Sequence, residues 1–140
     1  MTTLSVTEIY KSIQGESTWV GTPCTFIRLS TCPLRCRWCD TAYAFKQGSL
    51  TTIETILHKV RTLNTPCVEL TGGEPLAQSG AISLLSALIE ANYQVLLETS
   101  GSLSIKHVPK DVHIIMDLKC PDSNMSQHNH WANLNHLKSN

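Results

Sequence analysis

The chain has 140 residues, of which 41% are hydrophobic and 16% are charged, and its 11 basic residues balance its 11 acidic ones. This length suffices for one domain with a buried core, whereas a closed eight-stranded β/α barrel takes about 250 residues. The balanced charge excludes an acidic disordered tail and a strongly basic nucleic-acid binder, and no hydrophobic run approaches the roughly 18 residues of a membrane span.

Short β-type runs alternate along the chain with stretches of helical periodicity. We predict five strands, at residues 4–10, 23–30, 67–71, 93–99 and 113–118. A first helix is predicted after the capping box Thr51–Glu54 and ends before Pro66. A second helix is predicted from about residue 80 to residue 91. The alternation indicates an α/β fold with a parallel sheet and right-handed crossovers.

Unusual polar or glycine-rich sequences occur at the carboxyl ends of four of the predicted strands. Ligands of such sheets bind beyond the carboxyl ends of the strands. The four sequences are Arg28 before the cysteine-rich loop, Thr71 with the Gly72–Pro75 segment, Glu98 with the Thr99–Gly101 segment, and the Asp117–Lys119 segment. We therefore predict a ligand site at this edge of the sheet.

Three of the six cysteines, Cys32, Cys36 and Cys39, fall on one loop with the spacing C-x3-C-x2-C. The N-terminus lacks the basic start and hydrophobic stretch of a signal peptide, and we therefore expect a cytoplasmic protein with reduced thiols. Clustered cysteines in that compartment indicate a metal site rather than disulfides.

The other three cysteines decide whether this site has a fourth cysteine ligand. Structural zinc and ferredoxin-type clusters use four protein ligands. Cys24 and Cys67 begin their strands, so we predict them at the opposite end of the sheet as small buried residues. Of these three cysteines, only Cys120 is predicted at the same edge of the sheet as the cysteine loop. The simplest interpretation is a cluster held by three thiolates, with one iron open to a substrate or cofactor.

Cys32, Cys36, Trp38 and Cys39 form the pattern C-x3-C-x-aromatic-C, and the segment Gly72–Pro75 follows the next predicted strand. In these two motifs the chain resembles the radical S-adenosylmethionine enzymes. The resemblance implies a partial (β/α) barrel in which the three cysteines hold a [4Fe–4S] cluster. The fourth iron would bind S-adenosylmethionine, and reduction would cleave it to a 5′-deoxyadenosyl radical.

A narrower resemblance rests on residues 9–17, 26–29 and 39–41, which read IYKSIQGES, FIRL and CDT. These segments are similar to those of the 7-carboxy-7-deazaguanine synthases, and the resemblance extends over residues 4–123. It implies rearrangement of 6-carboxy-5,6,7,8-tetrahydropterin to 7-carboxy-7-deazaguanine with release of ammonia, in queuosine and 7-deazapurine biosynthesis. The implied partners are the pterin, an external electron donor such as flavodoxin or ferredoxin, and a second copy of the chain. Residues 1–140 would form the N-terminal two-thirds of a longer domain and lack its C-terminal strands.

The resemblance also implies roles for individual residues. The implied substrate contacts are Ile13, Gln14, Gly15, Glu16, Arg28 and Thr71. The implied S-adenosylmethionine contacts are Trp38, Cys39, Asp40, Gly73, Glu98, Asp117, Leu118 and Lys119. Thr41 matches a Mg²⁺-binding threonine, and Mg²⁺ prefers oxygen ligands and retains several waters. The forked guanidinium of Arg28 suits a carboxylate, while Gln14 and Glu16 offer complementary donors and acceptors to a pterin.

Two residues depart from the family pattern. Ser17 stands where the synthases usually have glycine, and we expect serine to close the same turn only if its φ stays negative. Asp117 stands where many members have serine, in the sequence Ser-Pro-Lys, so it adds a charge beside the retained Lys119.

Two other functions fit part of the same pattern. Activating enzymes of glycyl-radical enzymes share the cysteine spacing, the Gly-Gly-Glu-Pro turn and an Asp-x-Lys segment like 117–119. A non-enzymatic iron–sulfur or zinc module would instead use Cys120 as a fourth ligand. Metal analysis and a requirement for a large protein partner would distinguish these alternatives from the synthase.

Overall fold

The computed structural model describes residues 2–46 and 48–138, which form a six-stranded sheet with two helices. The strands are β1 (Thr3–Ile13), β2 (Pro23–Leu29), β3 (Ser49–Thr52), β4 (Cys67–Gly72), β5 (Gln94–Thr99) and β6 (His113–Met116). The helices are α1 (Ile53–Leu63) and α2 (Ala81–Glu90). The predicted α/β class is therefore confirmed.

The sheet has the order β3-β1-β2-β4-β5-β6 and is mixed rather than wholly parallel. Strands β2, β4, β5 and β6 run parallel, whereas β1 is antiparallel to both of its neighbours. Because β1 runs in the opposite direction, its Glu8 lies beside Arg28 near the carboxyl end of β2. The carboxyl ends of the four parallel strands meet at one edge, as predicted.

The main hydrophobic core joins the helices to one face of the sheet. Ile56 and Val60 of α1 and Leu85 of α2 pack there with Leu70 and Leu97 of the strands. Since strand residues alternate between the two faces, the neighbours of these leucines in β4 and β5 lie on the opposite face. Within the described ranges, no helix combines the length and the hydrophobicity needed to cross a bilayer.

The opposite face is hydrophobic near the amino ends of the parallel strands and polar near their carboxyl ends. The hydrophobic part is a small cluster of Cys24, Phe26, Cys67 and Leu96. Cys24 and Cys67 are buried neighbours where β2 and β4 begin, which confirms their prediction as small buried residues far from the cysteine loop. The polar part of this face carries the candidate site.

Three details of the element predictions are wrong. Five strands are predicted and six are found, because β3 immediately precedes α1 where the sequence pattern indicates only the start of a helix. The helix cap is Thr52 rather than Thr51, since Thr52 Oγ1 accepts a hydrogen bond from Thr55 N at 3.2 Å. Thr51 instead pairs with Leu4 in the sheet. Strand β6 ends at Met116, two residues earlier than predicted.

The expectation that serine closes this turn only with a negative φ is also wrong. Ser17 has φ +60°, in the left-handed region, and its Oγ accepts a hydrogen bond from Trp19 N at 3.2 Å. Serine therefore closes the turn in a conformation that costs about 1 kcal/mol for a residue with a Cβ.

Ser17→Gly is expected to be about 1 kcal/mol more stable than Ser17→Ala, because glycine adopts a positive φ without the Cβ clash. Chemical denaturation of both variants measures the difference. Ser104 is the matched control, since its Oγ also accepts from the backbone N–H two residues ahead but its φ is not positive. At Ser104 the alanine variant should be at least as stable as the glycine variant. Equal stabilities of the alanine and glycine variants at Ser17 would contradict the inferred backbone strain at this position.

Candidate active site

A cavity of about 360 Å³ lies at the carboxyl ends of the parallel strands. The predicted site residues on its wall are Glu16, Arg28, Cys32, Cys36, Trp38, Cys39, Asp40, Thr41, Thr71, Gly73, Glu98, Asp117 and Lys119. Of the other predicted residues in the described part of the chain, Ile13, Gln14, Gly15 and Leu118 are not on the wall. The structure thus brings the cysteine loop and all four polar strand ends to one cavity.

The loop after β2 places three free thiols on the cavity wall. Thr31 begins the loop in a left-handed conformation with φ +74°, and its N–H donates to Ala44 O at 2.7 Å. Cys39 N donates to Cys36 O at 3.2 Å and closes a turn between two of the cysteines. Burial raises the pKa of the Cys32 thiol, and the nearby Cys36 and Cys39 add to the effect.

Cys120 is exposed, and in the part of the chain that the structure describes it does not border the cavity. Across residues 2–46 and 48–138, no three His, Cys, Asp or Glu side chains are grouped as a single metal ion would require. The three loop cysteines therefore line the cavity, whereas Cys120 does not.

The Gly72–Gly73 turn packs directly against the cysteine loop. Gly73 N donates to Leu29 O at 3.3 Å. A Cβ on Gly73 would overlap the carbonyl oxygen of Thr31 and lie 2.7 Å from Cys32 Cβ. The resemblance implies that Gly73 contacts S-adenosylmethionine, but packing between the two motifs already requires a glycine at this position.

Glu74 connects this turn to the end of β5, a role that the sequence analysis missed. Its side chain is fully buried, and its Oε1 and Oε2 accept hydrogen bonds from Leu76 N at 2.9 Å and Ser100 N at 2.8 Å. The hydroxyls of Thr99 and Ser100 also donate to it. The sequence signal for this role was a carboxylate directly after Gly-Gly, together with two hydroxyl residues at the end of a predicted strand.

Arg28 is held in place by partners that the sequence analysis did not identify. Its Nε donates to Glu8 Oε1 at 2.8 Å, and its Nη2 donates to Tyr10 Oη at 3.0 Å. Tyr43 Oη donates to the same Glu8 oxygen at 2.7 Å. Burial alone would raise the pKa of Glu8, but the hydrogen bonds from Tyr43 and Arg28 lower it below its usual value. The guanidinium therefore faces the cavity from a fixed position.

The loop after β1 turns back over the polar face of the sheet. Gln14 N donates to Thr22 O and Gly21 N donates to Gln14 O, both at 2.8 Å. The buried Gln14 side chain donates from Nε2 to Glu69, and its Oε1 accepts from Glu16 N at 3.1 Å. Both ends of the amide are therefore used within the protein, and the same turn brings Glu16 to the cavity.

Acidic residues form much of the remaining wall. The charge of Glu98 raises the pKa of Glu16, with smaller contributions from burial and from Asp117 and Asp40. Asp117, which departs from the family pattern, has its Oδ2 2.7 Å from Lys119 Nζ. Its negative charge is therefore paired with that lysine. Such a wall favours a ligand that presents cationic or N–H donor groups.

Oxygen and aromatic groups complete the wall near the cysteines. Thr41 Oγ1 donates to Asp40 Oδ1 at 2.6 Å, and Thr71 Oγ1 donates to Glu98 Oε2 at 3.1 Å. Trp38 is 55% exposed, so it presents a free aromatic surface beside the cavity.

Residues 26–127 match the family model described as the Radical SAM superfamily. The chain is 51% identical over 130 residues to a 7-carboxy-7-deazaguanine synthase of Chlorobaculum tepidum, across 93% of this chain and 59% of that protein. It is 46% identical over 122 residues to a 7-carboxy-7-deazaguanine synthase of Koribacter versatilis, across 86% of this chain and 54% of that protein. The chain thus spans less than two-thirds of the length of these two relatives.

The crystal structure of QueE from Escherichia coli is similar in fold, with a TM-score of 0.75 at 24% sequence identity. The similarity covers 84% of this chain and 60% of that chain, and it supports the predicted partial barrel.

The donor set fits the cofactors that the matching family implies, a [4Fe–4S] cluster and S-adenosylmethionine. Three free thiols line one cavity and leave one iron of a four-iron cluster without a cysteine. Gly73, which carries no side chain, packs against this loop. The matched residues include the cysteine loop and the Gly-Gly-Glu-Pro turn, and the chain belongs to the radical SAM superfamily.

Proposed function

We propose that this chain provides the cluster-binding and substrate-binding regions of a 7-carboxy-7-deazaguanine synthase. The reaction would convert 6-carboxy-5,6,7,8-tetrahydropterin to 7-carboxy-7-deazaguanine with release of ammonia, in queuosine and 7-deazapurine biosynthesis. The supporting observation is that Arg28 shares a cavity wall with the three loop cysteines, so that a carboxylate bound to it would lie beside the proposed cluster site. The 51% identity to a protein of that name supports the same function.

Arg28 would bind the carboxylate of the substrate. Glu8 and Tyr10 engage Nε and Nη2, and further N–H donors of the guanidinium remain for a ligand. Burial lowers the pKa of Arg28, but the hydrogen bonds with Glu8 and Tyr10 raise it overall, so the side chain stays cationic. A carboxylate is the complementary ligand for such a group.

The turn at residues 13–16 would bind the other end of the pterin, whose guanidine-like edge carries N–H donors. Glu16 offers two carboxylate acceptors on the cavity wall, and Thr71 adds a hydroxyl. Gln14 would contribute by holding Glu16, since both ends of its amide are already bonded. Ile13 and Gly15 would contribute through the backbone of the same turn.

The remaining wall would hold the cofactors. Cys32, Cys36 and Cys39 would bind the [4Fe–4S] cluster, and Thr41 would give Mg²⁺ one oxygen ligand. The proposed S-adenosylmethionine contacts are Trp38, Cys39, Asp40, Gly73, Glu98, Asp117, Leu118 and Lys119. When bound, these cofactors supply the one-electron chemistry that starts the rearrangement. Electrons would come from an external flavodoxin or ferredoxin, and the protein would act as a homodimer.

An anaerobic assay of the reconstituted and reduced protein with carboxypterin, Mg²⁺ and S-adenosylmethionine tests the proposal. The deazaguanine product and ammonia are expected. Their absence with an intact cluster would contradict the proposal. Consumption of S-adenosylmethionine only with a large protein partner would instead indicate an activator of a glycyl-radical enzyme. Zinc as the sole bound metal would indicate a structural module.

Arg28→Lys is expected to lower kcat/KM about 10-fold or more, chiefly through a higher KM, because an ammonium cannot bind a carboxylate through two parallel N–H groups. Steady-state kinetics of product formation measure the change. Arg61→Lys, on the exposed surface of α1, is the matched control and should leave both constants unchanged. An unaltered KM in Arg28→Lys would show that Arg28 does not bind the substrate.

A further inference from the structure

Glu69 is a buried acidic residue to which the proposed function gives no role. It lies in the middle of β4, between Cys67 of the hydrophobic cluster and Thr71 of the cavity wall, and 1% of its surface is exposed. Alternate strand residues share a face, so all three lie on the face of the sheet opposite the main hydrophobic core. Burial of an ionised carboxylate is strongly unfavourable unless its oxygens are paired.

The two oxygens of Glu69 differ in their partners. Oε2 accepts a hydrogen bond from Gln14 Nε2, whereas Oε1 has no donor within the described part of the chain. Glu98 of β5 lies two residues beyond Leu96, the partner of Glu69 in the ladder, so the two carboxyl groups are diagonal neighbours on the same face of adjacent strands. Two carboxylates this close cannot both be ionised without strong repulsion, and one shared proton removes the repulsion.

We propose that Glu69 is a positioning residue that shares one proton with Glu98 and thereby fixes Gln14 and Glu98 beside the cavity. The shared proton supplies the donor that Glu69 Oε1 otherwise lacks. Consistent with this arrangement, burial and then the hydrogen bond and charge of Glu98 raise the pKa of Glu69 to about 8, against an opposing effect of Gln14.

The effect of Glu69 reaches the cavity wall in two directions. Toward the loop, its bond to Nε2 fixes the orientation of the Gln14 amide, so that Oε1 faces Glu16 N. Toward β5, it holds Glu98, whose Oε2 accepts from Thr71 Oγ1 at 3.1 Å. Glu16, Glu98 and Thr71 all line the cavity. One buried proton therefore sets the relative positions of groups on both sides of it.

The shared proton predicts opposite results for two substitutions of Glu69. Glutamine resembles a neutral carboxyl group, because its oxygen can accept from Gln14 and its NH₂ can donate to Glu98. Glu69→Gln should therefore preserve the arrangement, and Glu69→Leu should abolish it. Glu90→Gln, at an exposed position of α2, is the matched control for removing a carboxyl group.

Infrared spectroscopy of the chain at neutral pH tests for the proton without cofactors or turnover. The C=O stretch of a protonated carboxylic acid, with its shift in D₂O, is expected in the wild type and in Glu90→Gln and should be lost in Glu69→Gln. The side-chain amide resonances of Gln14 should be retained in Glu69→Gln and shift in Glu69→Leu. A wild type without the acid band, or equal displacement of the Gln14 resonances in both variants, would overturn the proposal.

The consequence for ligand binding rests on the proposed function. Affinity for the carboxypterin should stay within about 3-fold of wild type in Glu69→Gln and fall at least 10-fold in Glu69→Leu, because Gln14 holds Glu16. Equal losses of affinity in the two variants would contradict a neutral carboxyl group at Glu69. A wild-type chain that does not bind the pterin would contradict the proposed function, and the infrared and Gln14 measurements would still decide the role of Glu69.

Discussion

Replacement of Glu74 by glutamine is expected to lower the free energy of unfolding by about 2–3 kcal/mol, the cost of leaving a buried polar group unpaired. Each carboxylate oxygen accepts from a backbone N–H, Oε1 from Leu76 and Oε2 from Ser100. Glutamine has one oxygen, so either orientation of its amide places NH₂ against one of these N–H groups. Chemical denaturation of the protein without cofactors measures the loss.

Two further variants indicate whether the loss comes from the buried acceptor. Ser100→Ala removes one hydroxyl donor but leaves the hydrogen bonds from Leu76 N and Ser100 N to Glu74 intact. We therefore expect the free energy of unfolding to fall by about 1 kcal/mol. Glu90→Gln removes a carboxylate from an exposed helix position and should change stability by less than about 0.5 kcal/mol. A Glu74→Gln variant no less stable than Glu90→Gln would contradict the proposed role of this buried carboxylate.

Replacement of Gly73 by alanine is expected to separate the Gly-Gly turn from the cysteine loop. The new Cβ would overlap Thr31 O and lie 2.7 Å from Cys32 Cβ, so the backbone of at least one segment must move. Such overpacking typically costs about 1–3 kcal/mol. Because Cys32 is a proposed cluster ligand, the amount of iron bound after reconstitution should fall as well.

Gly15→Ala is the matched control, because a Cβ at Gly15 meets no atom within 4 Å and its φ is not positive. Thermal unfolding and iron analysis of the two variants should show a loss in Gly73→Ala alone. Normal stability and normal iron content in Gly73→Ala would contradict the packing argument. A stability loss with normal iron content would show that the substitution disturbs the fold without affecting iron binding.

Local sequence patterns predicted the order of elements and the edge of the sheet that carries the site. Four parallel strands were identified from short hydrophobic runs, and Cys32, Cys36 and Cys39 were recognised because their ligand spacing lies within one loop. The missed strand β3 shows the limit of such patterns. Its residues 49–52 pair with the beginning of β1, and a short exposed edge strand has little hydrophobic periodicity of its own.

The sequence by itself determined the α/β fold class, the three-thiol loop and its proximity to the Gly-Gly-Glu-Pro turn, because these features depend on contiguous residues and strand order. Only the tertiary structure decided which groups hold the site residues in place. The antiparallel direction of β1 brings Glu8 and Tyr10 to Arg28, and the loop that follows carries Gln14 back to Glu69. Strand periodicity predicts the face on which a side chain lies, but its hydrogen-bond partner depends on register and on the path of distant segments.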